Sequence, residues 1–141
     1  MTNPTLTIED ANRRLPLVRR IVRDAVELKS DILERQERLL ELRELHPELD
    51  TDVSPYAEEV LQMEESLEAD EIRIDEFTEE LVQVGGTLVS AELGLVEFDS
   101  VLDGMPIHLS WMYDEAEVGF WRSEADEPVD RKPLQLTEQA G

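Results

Sequence analysis

Apolar residues recur in alternating steps of three and four over the first half of the chain, and then the pattern stops. Ile8, Ala11, Leu15, Val18, Val22 and Ala25 open the run, which continues less regularly through Leu28, Ile32, Leu39, Leu42 and Leu45. Such spacing puts one apolar stripe on a helix and suits a heptad, coiled-coil seam against a second helix. Thr7 can cap the first free N–H groups, and Glu9 and Asp10 suit the positive end of the helix dipole. The pattern therefore predicts a first helix over 7–45. Pro16 falls inside it, with its ring opposing the carbonyl of Asn12, and should either kink the helix or split off a short leading one. His46-Pro47 ends the run, and 46–54 reads as a polar loop.

The second run is stricter. Val60, Met63, Leu67, Asp70, Ile74, Phe77, Leu81, Val84 and Leu88 keep three-four spacing, with Asp70 the one polar member. Ser54-Pro55 offers a cap residue followed by proline at the first helical position. Gly85-Gly86 is a stop signal, which leaves Leu88 just outside. A second helix is predicted over 54–86.

From 87 to 122 the period shortens. Leu95–Phe98, Ile107–Tyr113 and Glu117–Arg122 read as strands, with a further one at Thr87–Ala91. Asp103-Gly104 is a two-residue hairpin signal. Residues 123–141 form a polar, proline-containing tail, expected to be disordered after about Leu136. The fold class is α+β: a long antiparallel helical hairpin followed by a small antiparallel β-meander, in one domain spanning 1–141.

Charge sharpens this picture. Residues 13–43 hold nine basic and six acidic side chains, whereas 48–80 hold fourteen acidic ones and one basic one, Arg73. Two such helices attract each other. Antiparallel pairing would bring Arg13, Arg14, Arg19, Arg20 and Arg23 near Asp75, Glu76, Glu79 and Glu80. The whole chain carries a net charge of −22. That disfavours binding to nucleic acid or to an anionic membrane, both of which need surplus Lys and Arg. It favours a basic protein partner, if any.

No cysteine occurs among the 141 residues, which rules out disulfides and thiol chemistry and fits a reducing cytoplasm. There is no signal-peptide pattern and no membrane-length apolar run. Helices of roughly 55 and 45 Å exceed the 17–20 Å reach of short strands, so the meander cannot cover both apolar stripes. Burial of the remainder by a second copy is expected, giving a helical-bundle homodimer.

Chemistry is harder to place. The acidic pairs Glu64/Glu68 and Glu76/Glu80 have helical spacing, but no D-x-D-x-D-G loop or E-x-x-H motif accompanies them. No metal or cofactor site is expected. The arginines near the first helix start are read as partners of the acidic helix. Asp70 is read as a register-setting polar residue, His46 as a helix end and Trp111 as core. One of Phe120 and Trp121 must face outward, so the candidate binding patch is His108, Trp121, Arg122 and Arg131. No nucleophile–base pair is visible, so an enzyme is not expected. The favoured function is an interaction or scaffold protein, and the alternative is a small-ligand or metal-binding protein using the sheet face around His108, Trp121 and Arg122.

Gly94-Leu95-Val96-Glu97-Phe98, Asp103-Gly104, Leu109-Ser110-Trp111, Phe120-Trp121 and Arg131-Lys132-Pro133-Leu134 follow one another in a specific order. Before them stand Thr7, Glu9, Ala11 and Asn12, then Leu15-Pro16 and the helical hairpin. Over nearly its whole length the chain resembles a prokaryotic domain of unknown function, the family numbered 2203. The resemblance implies no known activity, substrate or cofactor. Members commonly carry a Cys before the first Trp and a His after the second. Ser110 and Arg122 stand there in this chain, on the strand face of His108. The resemblance thus implies that any thiol or histidine chemistry at that place is lost here. Arg131 matches a G-R-x-P segment whose glycine is Asp130 in this chain, and is expected to pin the tail to the sheet.

Overall fold

A computed structural model describes residues 5–47 and 56–134. Helix α1 runs Ile8–Leu45 and α2 runs Ala57–Gln83. Five strands follow: β1 Gly86–Ser90, β2 Leu95–Leu102, β3 Met105–Met112, β4 Phe120–Ser123 and β5 Lys132–Pro133. They form one antiparallel sheet in sequence order. The chain is thus α+β, a helical hairpin followed by a β-meander.

Thr7 caps α1 as its chemistry predicts. Its hydroxyl accepts from the Asp10 N–H at 3.0 Å, and Asp10 accepts from the Thr7 N–H at 3.2 Å, a reciprocal capping box. The helix then runs unbroken through Pro16. Interior proline costs about 3 kcal/mol. Here Pro16 is exposed, while its neighbours Leu15 and Val18 are buried in the core. Burial of such side chains is worth about 1.5–3 kcal/mol each, so the core holds the helix together across the missing hydrogen bond. No short leading helix splits off.

On the described side, α2 starts at Ala57 with Tyr56 as its cap. Ser54-Pro55, the expected start, lies outside the described residues, as does most of the loop expected over 46–54. At the other end Gly85 has φ 87° and its N–H donates to the Val82 carbonyl at 3.0 Å. The left-handed glycine turns the chain directly into β1.

Asp103 and Gly104 both have positive φ, 52° and 78°, which makes the tight hairpin turn expected of this pair. That turn fixes the β2–β3 register as Leu102↔Met105, and hence Asp99↔His108 and Glu97↔Ser110. The inner face of the sheet carries Val96, Phe98, Leu109 and Trp111, all almost fully buried against the helices. The Trp111 indole N–H donates to the Glu115 carbonyl at 2.9 Å.

The expected tail over 123–141 needs correction. Its segment Lys132–Pro133 is a strand paired with Phe120 and Trp121, and the Leu134 N–H donates to the Gly119 carbonyl at 2.9 Å. Proline is tolerated there because β5 is an edge strand. Residues 135–141, where disorder was expected, lie outside the described residues.

Contacts with the sheet and its turns extend from Leu6, just before α1, whose N–H donates to the Asp99 carbonyl at 2.8 Å, to Val26 of α1, which packs close to Gly94 in the β1–β2 turn. Past that point Ile32 and Leu39 of α1 and Val60 and Leu67 of α2 are buried between the two helices. The molecule therefore has a body, where the sheet covers the hairpin, and a two-helix arm. No helix among the described residues is long and apolar enough to cross a membrane.

Candidate functional site

The outer face of the sheet gathers most of the polar residues singled out by the sequence. Strand alternation and register place Glu97 and Asp99 of β2, His108 and Ser110 of β3, and Phe120 and Arg122 of β4 on that face. Arg122 sits directly across from His108. From there it reaches diagonally to Glu97, donating from Nε at 2.5 Å and from Nη2 at 2.9 Å. Its Nη1 donates to the carbonyls of Ser123 at 3.2 Å and Asp126 at 2.9 Å. All three guanidinium nitrogens are thus engaged. The hydrogen bond to Glu97 raises the Arg122 pKa above its ordinary value, against the opposing effect of burial.

Arg131 forms the second part of the network. Its Nε donates to the Ser110 hydroxyl at 2.8 Å and its Nη2 to Glu115 at 2.5 Å. The guanidinium lies 4.1 Å over the Phe120 ring, a favourable cation–π geometry. Arg131 therefore ties the chain just before β5 to β3, the pinning role expected of it. The Asp126 carboxyl is held below its ordinary range by the Ser123 N–H and then by Lys132.

His108 lies between two carboxylates, with Nδ1 3.1 Å from Asp99 and Nε2 3.9 Å from Glu124. Ser110 is fully buried and accepts from Arg131. Among the described residues no group of three or more His, Asp and Glu could hold a metal ion.

Trp121 does not join this face. It pairs with Leu109 and packs against the core, with the Lys132 ammonium 4.9 Å over its ring. Phe120 is the aromatic on the outer side, beside Ser110. The structure thus brings together His108, Arg122 and Arg131 and leaves Trp121 on the opposite side. The partners Glu97 and Glu115 were not foreseen. The Asp103-Gly104 turn carried the missing signal, because a two-residue loop fixes which residue of β2 faces which residue of β3.

The second polar cluster lies on the arm. Asp70, the polar member of the α2 seam, is ion-paired with Arg35, which also donates to the Ser66 hydroxyl at 2.7 Å and sits 3.0 Å from Asp31. Lys29–Glu71 at 3.8 Å and Arg43–Glu64 at 2.9 Å add two more bridges between the helices. The arginines near the start of α1 do something other than expected. Arg14 donates to the Val84 carbonyl at 2.8 Å, and Arg19 to the Ala116 carbonyl at 2.9 Å. Arg13 and Arg23 pair locally with Asp10 and Asp24. Arg14 thus sits at the C-terminal end of α2, where a guanidinium is favourably placed.

One side of the arm opens into a groove of about 570 Å³ lined by Asp24, Glu27, Asp31, Asp70 and Glu76, with Arg73 the one basic side chain. Arg73 lies 4.7 Å over the Phe77 ring and 3.2 Å from Glu76.

No curated protein and no solved structure matches the chain. A family model does, over residues 5–134, which takes in the capped start of α1, the hairpin and all five strands. The chain belongs to DUF2203, a family of uncharacterized conserved proteins.

Proposed function

We propose that the chain is a non-enzymatic interaction or scaffold module of the cytoplasm that self-associates through its arm into a helical-bundle homodimer. One observation carries this reading. The arm's seam is closed, yet Leu40, Leu61 and Ile72 remain more than half exposed on its surface. Large apolar side chains exposed on a short two-helix arm are what a docking surface needs. The absence of cysteine supports the compartment. Solution mass measured by light scattering over a concentration series tests the reading. A mass twice 16.2 kDa is expected, and a chain that stays monomeric throughout would overturn it.

A second reading has its own support. The acidic groove already holds a guanidinium, that of Arg73, over an aromatic ring and beside a carboxylate. A Lys- or Arg-rich segment of a protein partner would meet the same chemistry from outside. Binding of an oligo-arginine peptide should then weaken steeply with added salt. Salt-independent binding would count against it. The small-ligand or metal reading around His108, Trp121 and Arg122 has less behind it. The cationic groups of Arg122 and Arg131 are matched by Glu97 and Glu115.

A further inference from the structure

The segment between β4 and Leu134 lies against the sheet without burying an apolar side chain. None of residues 124–133 is buried, and Val129 is 63% exposed. Polar contacts and the two residues of β5 hold it in place. At its start the Asp126 carboxylate accepts from the Ser123 N–H at 3.2 Å, and the Asp126 carbonyl accepts from Arg122 at 2.9 Å. Lys132, 3.2 Å from the same carboxylate, closes the segment on itself. Arg131 is the side chain that reaches beneath. It is 9% exposed and donates to the Ser110 hydroxyl at 2.8 Å and to Glu115 at 2.5 Å.

Ties of this kind resist concerted opening only weakly. When the segment lifts, Arg131 and Glu115 both regain water, which returns the desolvation cost of the buried pair. The few backbone bonds of β5 are exchanged for bonds to water. Lifting β3 or α1 would instead expose Leu109, Trp111 or Val18, all almost fully buried, at the full cost of apolar hydration. Regions with few buried apolar contacts open at the low end of a protein's stability. The far end stays anchored, because Leu134 packs against the core and its N–H bonds the Gly119 carbonyl.

We propose that residues 124–133 form a strap, latched by Arg131, that opens without unfolding the body and uncovers Ser110 and the outer ring face of Phe120. In the closed state Ser110 is fully buried and the Arg131 guanidinium lies 4.1 Å over the Phe120 ring. In the open state the Ser110 hydroxyl, the Glu115 carboxylate and that ring lose the cation that covers them. The outer face of the sheet, beside His108, is thus seen here in its covered form. The strap belongs to the body and acts independently of the arm and of self-association.

Trypsin tests this on the unmodified chain. Of the thirteen Lys and Arg residues, nine lie in α1, one in α2 and one in β4. Arg131 and Lys132 remain, and the bond from Lys132 to Pro133 resists the enzyme, so the strap is cut after Arg131. Because Arg131 is buried when the strap is closed, the rate of that cut reports the open population. The expected cut after Arg131 has a rate nearly independent of urea below the unfolding transition. Cuts at Arg19 and Arg20 of the body should rise steeply with urea, since they need the core to open. S110A removes one hydrogen bond from the latch and should speed the Arg131 cut about tenfold, with the body cuts unchanged. Cleavage after Arg131 at the rate and urea dependence of Arg19 would overturn the strap, because the segment would then open only with the body. Equal acceleration at Arg131 and Arg19 in S110A, or none at Arg131, would overturn the latch.

Discussion

The body and the arm are built on the same two helices and the same heptad seam, yet they are held in different ways. In the body, the sheet adds a second layer, and Val18, Val22, Phe98 and Trp111 are wholly removed from water. Three polar side chains of α1 there reach backbone groups. Arg14 reaches the Val84 carbonyl, Arg19 the Ala116 carbonyl, and the Asn12 side chain accepts from the Val118 N–H at 2.7 Å. In the arm, Ile32, Leu39, Val60 and Leu67 form a thin line between two helices. Its polar contacts run between side chains: Arg35 with Asp70, Lys29 with Glu71, Arg43 with Glu64. Side-chain pairs choose partner and register but add little stability when solvent reaches them. The body should set the stability of the fold, and the arm should be free to exchange partners.

Matched truncations probe that difference most strongly. Trp111→Ala removes the largest fully buried side chain and should cost about 3–5 kcal/mol. Ile32→Ala in the arm should cost about 2 kcal/mol, the low end for such a change, because two helices can close onto the gap. The sharper readout is hydrogen exchange. Ile32→Ala should speed exchange in the arm alone, whereas Trp111→Ala should speed it everywhere. Uniform loss of protection in both variants would show that body and arm unfold as one unit.

The ion pairs give the next contrast. The side chains of Arg122 and Glu97 are 13% and 6% exposed, against 21% and 32% for Arg35 and Asp70. Arg122→Ala leaves a buried carboxylate unanswered and should cost about 3 kcal/mol. Arg35→Ala should cost about 1 kcal/mol, because water reaches the Asp70 carboxylate it leaves behind. Denaturant melts of the two variants decide this, and equal losses would erase the distinction between the sheet face and the arm.

How much of this was legible in the sequence follows the same division. The seams of α1 and α2 were readable because helical periodicity over many residues leaves few alternatives. The β2–β3 hairpin was readable because Asp103-Gly104 admits positive φ at both positions. Strand β5 was not, since two residues show no alternation and Lys132–Pro133 resembles a loop. Alternation showed that Phe120 and Trp121 point oppositely, but not which of them meets the helices. That depends on the pairing of Trp121 with Leu109, which no local pattern states. Arg14 and Arg19 went astray for a related reason. Charge counting finds acidic side chains and overlooks the carbonyls at the end of α2 and before β4.

Gly94→Ala addresses the boundary between the two regions. Gly94 has φ 67°, and an added Cβ would fall 2.7 Å from the Tyr113 Cβ and 3.0 Å from Val26. Positive φ costs a non-glycine residue roughly 1–2 kcal/mol before any clash is counted. The variant should melt earlier, with the exchange of amides near Val26 rising most. If Leu33 and Leu40 lost protection as much as Leu95, the rim would be coupled to the whole arm.

Acid should act on the body first, by a smaller amount. The Asp10 carboxyl is lowered from 3.8 by the Thr7 N–H and then by the Thr7 hydroxyl, and Asp126 is lowered from 3.8 by the Ser123 N–H and then by Lys132. In the unfolded chain both groups return to ordinary values and bind protons more readily. Their contribution is therefore complete above 3.8 and is lost as pH falls through the depressed values. Water reaches both carboxyls, so the effect is modest. A D10N/D126N double variant should be less stable near neutral pH and should show a shallower loss of stability below 3.8. Exchange in the arm should keep the parent's pH dependence, because neither residue touches it. An unchanged acid limb in the double variant would mean that the two hydrogen-bonded turns persist in the unfolded chain, and that the body's advantage over the arm owes nothing to them.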